Sequence, residues 1–164
     1  MVTGSMASAL HGQPRATRDI DLVIDPSVHT IEILAAAFPS ERFYVGNAVI
    51  ALQQRDMFNI IDVTSGWKAD LIIRKERPFS REEFSRRVPA VIAGVRTWVT
   101  TAEDAILSKL EWQARSGSDT QRRDVVEMIA TNLDTLDRSY LDRWARELNV
   151  DALLAELWNE AHAE

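Results

Sequence analysis

Two aspartates separated by one residue are the first feature of the sequence that indicates chemistry. Asp19 and Asp21 flank Ile20 in a stretch whose apolar residues alternate as they do in a β-strand. On a strand, residues i and i+2 face the same side, about 6.6 Å apart at a rise of roughly 3.3 Å per residue. Neighbouring carboxylates repel each other unless water, a basic side chain or a divalent cation compensates them. A hard cation such as Mg²⁺ prefers oxygen ligands of this kind, although a solvated strand face is the commoner explanation for the motif taken alone.

Gly4 and Ser5 form a second motif, which precedes the paired aspartates and follows a short apolar strand. A Gly-Ser pair at a strand-to-helix turn offers backbone N–H groups, a hydroxyl and a helix N-terminus, all of which suit a phosphate group. A turn glycine followed by an N-cap serine explains the same two residues without any ligand. Taken alone, the motif therefore favours the structural explanation.

Asp70 is the third candidate, because it interrupts the apolar run Ala69–Ile73. A carboxylate that is buried within a strand must be paired with a cation or bound to a metal. Lys68, Arg15 and Arg18 are the basic residues that we consider as partners. An edge strand with this carboxylate in water is the remaining alternative.

The elements that must position these residues fall into two parts, which meet near residue 100. Before that point, alternating apolar residues and turn signals predict a small mixed β-sheet with short helices, so the fold class is α/β or α+β. From Thr101 onward the apolar residues recur with helical spacing. We therefore expect residues 101–164 to be a helical segment packed on a core formed by residues 1–100, in a single compact unit.

Local patterns predict the individual elements of the first part. The predicted strands are Met1–Thr3, Thr17–Ile24, Phe58–Val63, Lys68–Arg74 and one or two strands within Val88–Val99. The predicted helices are Met6–Leu10, Val28–Phe38 and Gly46–Arg55.

The composition is that of a soluble globular protein of single-domain size. Of the 164 residues, 46% are apolar and 27% charged, which excludes a disordered chain and a collagen-like fibre. The net charge of −6 argues against a small basic nucleic-acid-binding domain. The lack of cysteine excludes disulfides, a thiol nucleophile and thiolate metal sites. Because we find neither a membrane-length apolar run nor a secretory leader, we expect a cytoplasmic protein without a membrane partner.

In combination, the three motifs resemble the signature of the nucleotidyltransferase superfamily, the polymerase β-like group. In that signature a strand ends in a Gly-Gly or Gly-Ser turn, a helix follows, and the next strand carries paired acids. A neighbouring strand carries a third acid. The matching segments here are Thr3-Gly4-Ser5, Asp19-Ile20-Asp21-Leu22 and Ala69-Asp70-Leu71.

The second half of the chain resembles a narrower group, the AbiEii-like nucleotidyltransferases. That group includes abortive-infection toxins, type IV toxin–antitoxin toxins and related uncharacterised proteins. Thr101–Leu110 is similar to the group's helix with an E-x-x-x-x-K-L motif, whose lysine corresponds to Lys109. Arg115 and Arg123–Glu127 are similar to its R…R-D-x-x-D segment, with Glu127 in place of the second aspartate.

The resemblance implies an enzyme that uses Mg²⁺ to transfer a nucleoside monophosphate from a nucleoside triphosphate (NTP) to an acceptor. Asp19 and Asp21 would hold Mg²⁺, and Asp70 would ligate a second metal ion or act as base for the acceptor hydroxyl. The backbone at Gly4 and the hydroxyl of Ser5 would cradle the β- and γ-phosphates.

The resemblance also assigns roles to two residues of the helical segment. Lys109 would supply a catalytic, nucleotide-binding charge for a phosphate group. Asp124 would belong to the nucleotide site by positioning Lys109 or Arg123. A solvated helix lysine and a surface ion pair are the alternative explanations for these residues.

The candidate acceptors are an RNA end, a protein hydroxyl and a small alcohol. The net charge of −6 favours the protein hydroxyl and the small alcohol. The segment from Arg74 to Arg87 has six basic residues against three glutamates, which keeps an RNA end as a candidate.

The second hypothesis is a catalytically silent protein of the same fold, acting as a binding or regulatory subunit. Its partner would be a protein such as a cognate antitoxin. The short first strand at Met1–Thr3 favours this hypothesis, and the three acids with Ser5 argue against it.

Overall fold

The computed structural model describes residues 1–12 and 17–162. The chain begins with a two-residue strand, Val2–Thr3 (β1), which leads directly into the helix Gly4–His11 (α1). Six further strands are described: Asp19–Ile24 (β2), Phe43–Val45 (β3), Met57–Asp62 (β4), Lys68–Ile73 (β5), Val88–Ile92 (β6) and Val95–Val99 (β7). Seven further helices are described: Val28–Ala36 (α2), Ala48–Gln54 (α3), Pro78–Ser85 (α4), Ala102–Ser116 (α5), Asp119–Asn132 (α6), Arg138–Glu147 (α7) and Asp151–Ala161 (α8). The predicted mixed α/β class is confirmed.

The strands form one mixed sheet in the order β3-β4-β5-β2-β1-β7-β6. Strand β2 runs parallel to β5 and β1 runs parallel to β7, while the other pairs are antiparallel. The register places Asp21 beside Asp70, and Asp70 beside Asn59 of the next strand. Three polar residues from three strands therefore lie in one row across the sheet.

One face of this sheet is apolar and carries the core of the first part of the chain. Its strands contribute Phe58, Ile60, Leu71 and Ile73, which pack with residues of α2 and α3, including Ile31, Ala48 and Ala51. Because side chains alternate along a strand, Asn59 and Asp70 project to the opposite face. The hydrophobic alternation of β4 and β5 thus directs the polar row away from α2 and α3.

Contacts between residues divide the chain into two compact units. The first consists of Met1–Met6 and Ala16–Val99, and the second of Ala7–Arg15 and Thr100–Glu164. In the second unit α5 packs with α6 and α7, and α8 packs with α6 and α7. The fully buried side chains of this helical core include Ile106, Leu110, Met128, Leu141 and Leu157. Within the described residues, every helix is too short or too polar to cross a membrane.

Two elements, β3 and α4, were not predicted from the sequence. Strand β3 has only three residues, so it shows almost no alternation. Helix α4 lies in the charged stretch before residue 87, begins with Pro78 and buries Phe79. Proline is favourable at the first position of a helix, because its nitrogen needs no hydrogen-bond partner there. Helix α1 also begins at Gly4, two residues before its predicted start.

Candidate functional site

The acidic residues predicted from the sequence lie on neighbouring strands of the first unit. Asp19 and Asp21 belong to β2, and Asp70 belongs to β5, where it is 8% exposed. The parallel register pairs Asp21 with Asp70 and Asp19 with Lys68. All four side chains share one face of the sheet, because their positions differ by two along each strand. We refer to Asp19, Asp21 and Asp70 as the acid cluster.

Lys68 and Asn59 are the partners of the Asp70 carboxylate. The Lys68 ammonium donates to Oδ2 of Asp70 at 2.9 Å, and the Asn59 amide donates to Oδ1. The Lys68 Nζ atom also lies 3.9 Å from Oδ1 of Asp19. The hydrogen bond to Asp70 raises the pKa of the Lys68 side chain.

These contacts decide between the alternatives for Asp70. Lys68 is a partner, as considered from the sequence, while Arg15 lies outside the described residues. The edge-strand alternative is wrong, because β5 lies between β4 and β2.

The start of helix α1 lies directly against Asp21. Gly4 has a φ of +60°, and a Cβ atom at this position would stand 1.9 Å from Oδ2 of Asp21. The backbone N–H of Ser5 donates a hydrogen bond to the Asp21 carboxylate. Glycine is therefore required at residue 4 for two reasons, the left-handed backbone and the close approach of the carboxylate. A phosphate-binding role for Gly4 and Ser5 stays a prediction.

Burial and neighbouring carboxylates make the ionised form of Asp21 unfavourable. Burial raises the pKa of Asp21 above its ordinary value, and the neighbouring charges of Asp70 and Asp19 raise it further. The Ser5 hydrogen bond and the Lys68 ammonium oppose this increase. Because a raised pKa means that ionisation costs more in the folded protein than in the unfolded chain, the ionised Asp21 destabilises the fold in the absence of a compensating cation.

This electrostatic strain predicts that Asp21→Asn stabilises the metal-free protein at neutral pH, by less than about 1 kcal/mol at this half-buried position. For an acid with a raised folded-state pKa, the stabilising contribution is complete below the ordinary value of 3.8. It is lost as the pH rises through the folded-state pKa. The advantage of the variant should therefore be present at pH 7 and vanish near pH 4.

Thermal unfolding in the presence of a chelator measures this difference. The exposed Asp56 supplies a matched control, because Asp56→Asn removes a carboxylate outside the acid cluster. An Asp21→Asn variant that is less stable than wild type at pH 7 would contradict the electrostatic interpretation.

The acid cluster offers carboxylate oxygens, which are the donor atoms that a hard divalent cation prefers. Carboxylate oxygens are the ligands that Mg²⁺ takes from proteins, usually one or two carboxylates together with water and phosphate oxygens. In the part of the chain that the structure describes, no three His, Asp or Glu side chains are gathered tightly enough to enclose a metal ion. The Lys68 ammonium instead contacts two of the three carboxylates. The binding of Mg²⁺ by Asp19 and Asp21 stays a prediction.

Lys109 and Asp124, the two other predicted site residues, pair with each other in the second unit. Each is only 5% exposed. The Lys109 ammonium donates to Oδ2 of Asp124 at 2.7 Å and to Oε1 of Gln121 at 2.9 Å. The alternatives of a solvated lysine and a surface pair are therefore wrong. Participation of either residue in nucleotide binding stays a prediction.

Ion pairs of Arg74 and Arg81 compensate part of the basic stretch that kept RNA open as an acceptor. Arg74 donates to Asp25 at 2.9 Å and to Glu76 at 3.1 Å. Arg81 forms an ion pair with Glu76, and Arg55 forms ion pairs with both of these acids. The guanidinium groups of Arg74 and Arg81 are thus engaged with carboxylates of the first unit.

A cavity of about 270 Å³ lies beside Asn59 in the first unit. It is lined by Tyr44, Gly46, Asn47, Ile50, Ala51, Gln54, Asp56, Met57, Phe58 and Asn59. None of these described lining residues is a lysine or an arginine. Asn59 both lines the cavity and contacts Asp70, and sequence reasoning missed it. Its signal was an amide in the middle of an otherwise apolar strand.

One comparison with known proteins finds a similar fold. No protein-family model matches the chain. No curated protein sequence matches it either. The fold is similar to the crystal structure of an antigenic nucleotidyltransferase-like protein from Paracoccidioides brasiliensis, with a TM-score of 0.54 and 19% sequence identity over 96% of this chain and 83% of that chain. At this level of identity the similarity concerns the fold, and it agrees with the predicted nucleotidyltransferase-like class.

Proposed function

We propose that this chain is a nucleotidyltransferase that transfers a nucleoside monophosphate from an NTP to a hydroxyl group, with Mg²⁺ as cofactor. The observation that carries the proposal is the juxtaposition of Asp21 with Asp70 on adjacent strands, directly beside the start of helix α1. Buried like charges are costly, so this arrangement is best explained by a cation that compensates them during function. The sequence motifs and the shared fold support the same activity.

Each residue of the acid cluster then has a distinct task. Asp19 and Asp21 hold the cation, which when bound neutralises charge on the phosphate oxygens. Asp70, held by the Asn59 amide, is oriented toward the acceptor side, where it accepts the proton of the attacking hydroxyl or binds a second Mg²⁺. Gly4 and Ser5 bring the positive end of α1 toward the β- and γ-phosphates.

Lys109 and Asp124 belong to the same proposal through the sequence resemblance. Lys109 contributes a positive charge to the nucleotide site, and Asp124 holds its ammonium in a defined orientation. A lysine restrained by a buried carboxylate loses less side-chain entropy when it meets a phosphate group. We also propose a cytoplasmic location, which agrees with the cysteine-free composition.

The acceptor is proposed to be the hydroxyl of a small molecule or of a protein side chain. In-line displacement places the attacking oxygen opposite the leaving pyrophosphate. With the triphosphate near α1, that opposite side lies toward β5 and β4, where Asn59 adjoins Asp70. The net charge of −6 disfavours a phosphate-bearing acceptor such as an RNA end.

One observation favours a second candidate function. Because Lys68 already compensates two members of the acid cluster, the fold is electrostatically acceptable without a metal ion. This is the charge arrangement expected of a catalytically silent protein that acts as a binding or regulatory subunit. A protein such as a cognate antitoxin would then be the partner.

Thermal unfolding with Mg²⁺ and each of the four NTPs separates the two functions. A ligand at 100 times its Kd stabilises a protein by roughly 2.7 kcal/mol, which gives a readily measured shift in Tm. We expect a shift that requires Mg²⁺, is abolished by Asp21→Asn and persists in the control Asp56→Asn. No shift with any NTP would favour the silent binding protein. If a shift is found, labelled NTP of the preferred base would be used to search for the acceptor.

A further inference from the structure

Lys68 contacts the acid cluster in the way that a bound cation would. Its Nζ atom lies 2.9 Å from Asp70 and 3.9 Å from Asp19, on the same face of the sheet. With the Asn59 amide on the other oxygen, both carboxylate oxygens of Asp70 already accept a hydrogen bond. Each oxygen keeps a second lone pair for a metal ion, but a divalent cation at Asp70 would lie close to the Lys68 ammonium and repel it.

Of the two donors, Lys68 is the one that is able to leave. Its side chain is 33% exposed and ends in a flexible four-carbon stem. A divalent cation supplies twice the compensating charge, so the carboxylates no longer need the ammonium once it binds. The released ammonium keeps its charge and has three N–H donors, which match the oxygens of a phosphate group.

We propose that Lys68 is an exchangeable counter-ion, whose ammonium compensates the acid cluster in the free protein and transfers to a phosphate of the substrate when a divalent cation binds. This inference rests on the proposed function, since it needs both a divalent cation and a phosphate-bearing substrate. It assigns Lys68 a role in the reaction cycle that neither the motifs nor the shared fold contain. It also explains how three carboxylates are tolerated on adjacent strands before substrate arrives.

The exchange predicts that Lys68→Met changes two affinities in opposite directions. Without the competing ammonium, Mn²⁺ alone should bind roughly two- to fivefold more tightly, as expected for a pair near the surface. The Lys68→Met variant should bind Mg²⁺ with inorganic tripolyphosphate more weakly than wild type does, because a phosphate contact is lost. Electron paramagnetic resonance of free Mn²⁺ and calorimetry measure these affinities. Lys68→Arg keeps the charge and should resemble wild type in Mn²⁺ affinity, and Lys75→Met controls for loss of an exposed lysine.

A second measurement needs neither a variant nor activity. The chain has three lysines, Lys68, Lys75 and Lys109, so acylation of each is easily resolved by mass spectrometry. Mn²⁺ should increase the acylation rate of Lys68 as its ammonium leaves the carboxylates, and tripolyphosphate added with Mn²⁺ should lower it again. The rate at Lys75 should stay constant throughout.

The outcomes separate this inference from the proposed function. If wild type binds Mn²⁺ and Mg²⁺–tripolyphosphate, but Lys68→Met leaves Mn²⁺ affinity unchanged and Mn²⁺ leaves Lys68 acylation unchanged, the exchange is overturned and the proposed function stands. If wild type binds neither probe, both are overturned. If the methionine variant does not fold, the acylation rates of wild type alone decide.

Discussion

Gly4→Ala is expected to abolish Mg²⁺-dependent NTP binding, since the added methyl group would occupy the place of the Asp21 carboxylate. The Cβ atom would lie 1.9 Å from Oδ2, 2.5 Å from Cγ and 2.8 Å from Cβ of Asp21. No rotation of the new methyl group relieves contacts this short. Asp21 must therefore move away from the start of α1, and its hydrogen bond with Ser5 is lost.

The same substitution should also lower the free energy of unfolding by about 2–4 kcal/mol. An alanine at a φ of +60° costs about 1 kcal/mol, and a collision in a packed site adds about 1–3 kcal/mol. Urea denaturation measures the stability, and the Mg²⁺-dependent shift in Tm measures the binding.

Gly94 provides a matched control for the backbone strain. It has a φ of +80° and no heavy atom within 4 Å of the position of a Cβ. Gly94→Ala should therefore cost about 1 kcal/mol from the backbone alone and leave NTP binding intact. A Gly4→Ala variant that binds NTP as wild type does, or that is no less stable than Gly94→Ala, would show that the Asp21 carboxylate need not lie against α1.

Lys109→Met is expected to be the most destabilising of the single substitutions considered, costing about 3–5 kcal/mol. The substitution removes the ammonium that compensates Asp124, while that carboxylate stays in a site where both partners are 5% exposed. It also removes the donor of the 2.9 Å hydrogen bond to Gln121. Urea denaturation gives the loss, and Lys75→Met, at an exposed position, should change the stability by less than about 0.5 kcal/mol.

The double variant Lys109→Met/Asp124→Leu tests the physical reason for this loss. Replacing both members of a buried ion pair with apolar side chains is often neutral, so most of the stability should return. A loss below about 1 kcal/mol in the single variant would mean that the pair behaves as a surface ion pair. In the folded double variant, NTP binding then reports on the proposed phosphate contact of Lys109 separately from its contribution to stability.

The acid cluster shows how one arrangement of charges serves both stability and the proposed activity. Burial and two neighbouring carboxylates raise the pKa of Asp21, while Ser5 and Lys68 limit the increase. The half-buried Asp21 carboxylate, whose charge is only partly compensated, is where we expect an added cation to be favoured. The small stabilisation expected for Asp21→Asn and the loss of NTP binding in the same variant are two consequences of this arrangement.

Local periodicity was sufficient to predict most elements and the faces of the strands. Alternation around Asp19 and Asp21 predicts that both carboxylates share a face, because side-chain direction on a strand depends only on position. The position of Asp70 within an apolar run likewise indicates a carboxylate that needs a partner. The helical stripes after Thr101 follow from spacing in the same way.

Hydrophobic periodicity could not predict elements that consist mostly of charged residues or of very few residues. Helix α4 presents mostly charged residues, and its tertiary burial of Phe79 and Glu83 is what makes it part of the fold. Strand β3 exists through its pairing with β4, since three residues carry no pattern of their own. The buried state of Lys109 and Asp124 was equally hidden, because each residue type alone is typical of a surface.

The sequence by itself determined which residues carry the proposed chemistry, and only the tertiary structure decided what each of them touches. The contacts of Asp70 with Lys68 and Asn59 depend on which residues the strand register places side by side. The approach of Gly4 to Asp21 depends on the pairing of β1 with β2, which joins residues far apart in the chain. Registers of this kind are selected by the packing of a whole sheet face, since a shift of one residue would turn every side chain to the other side.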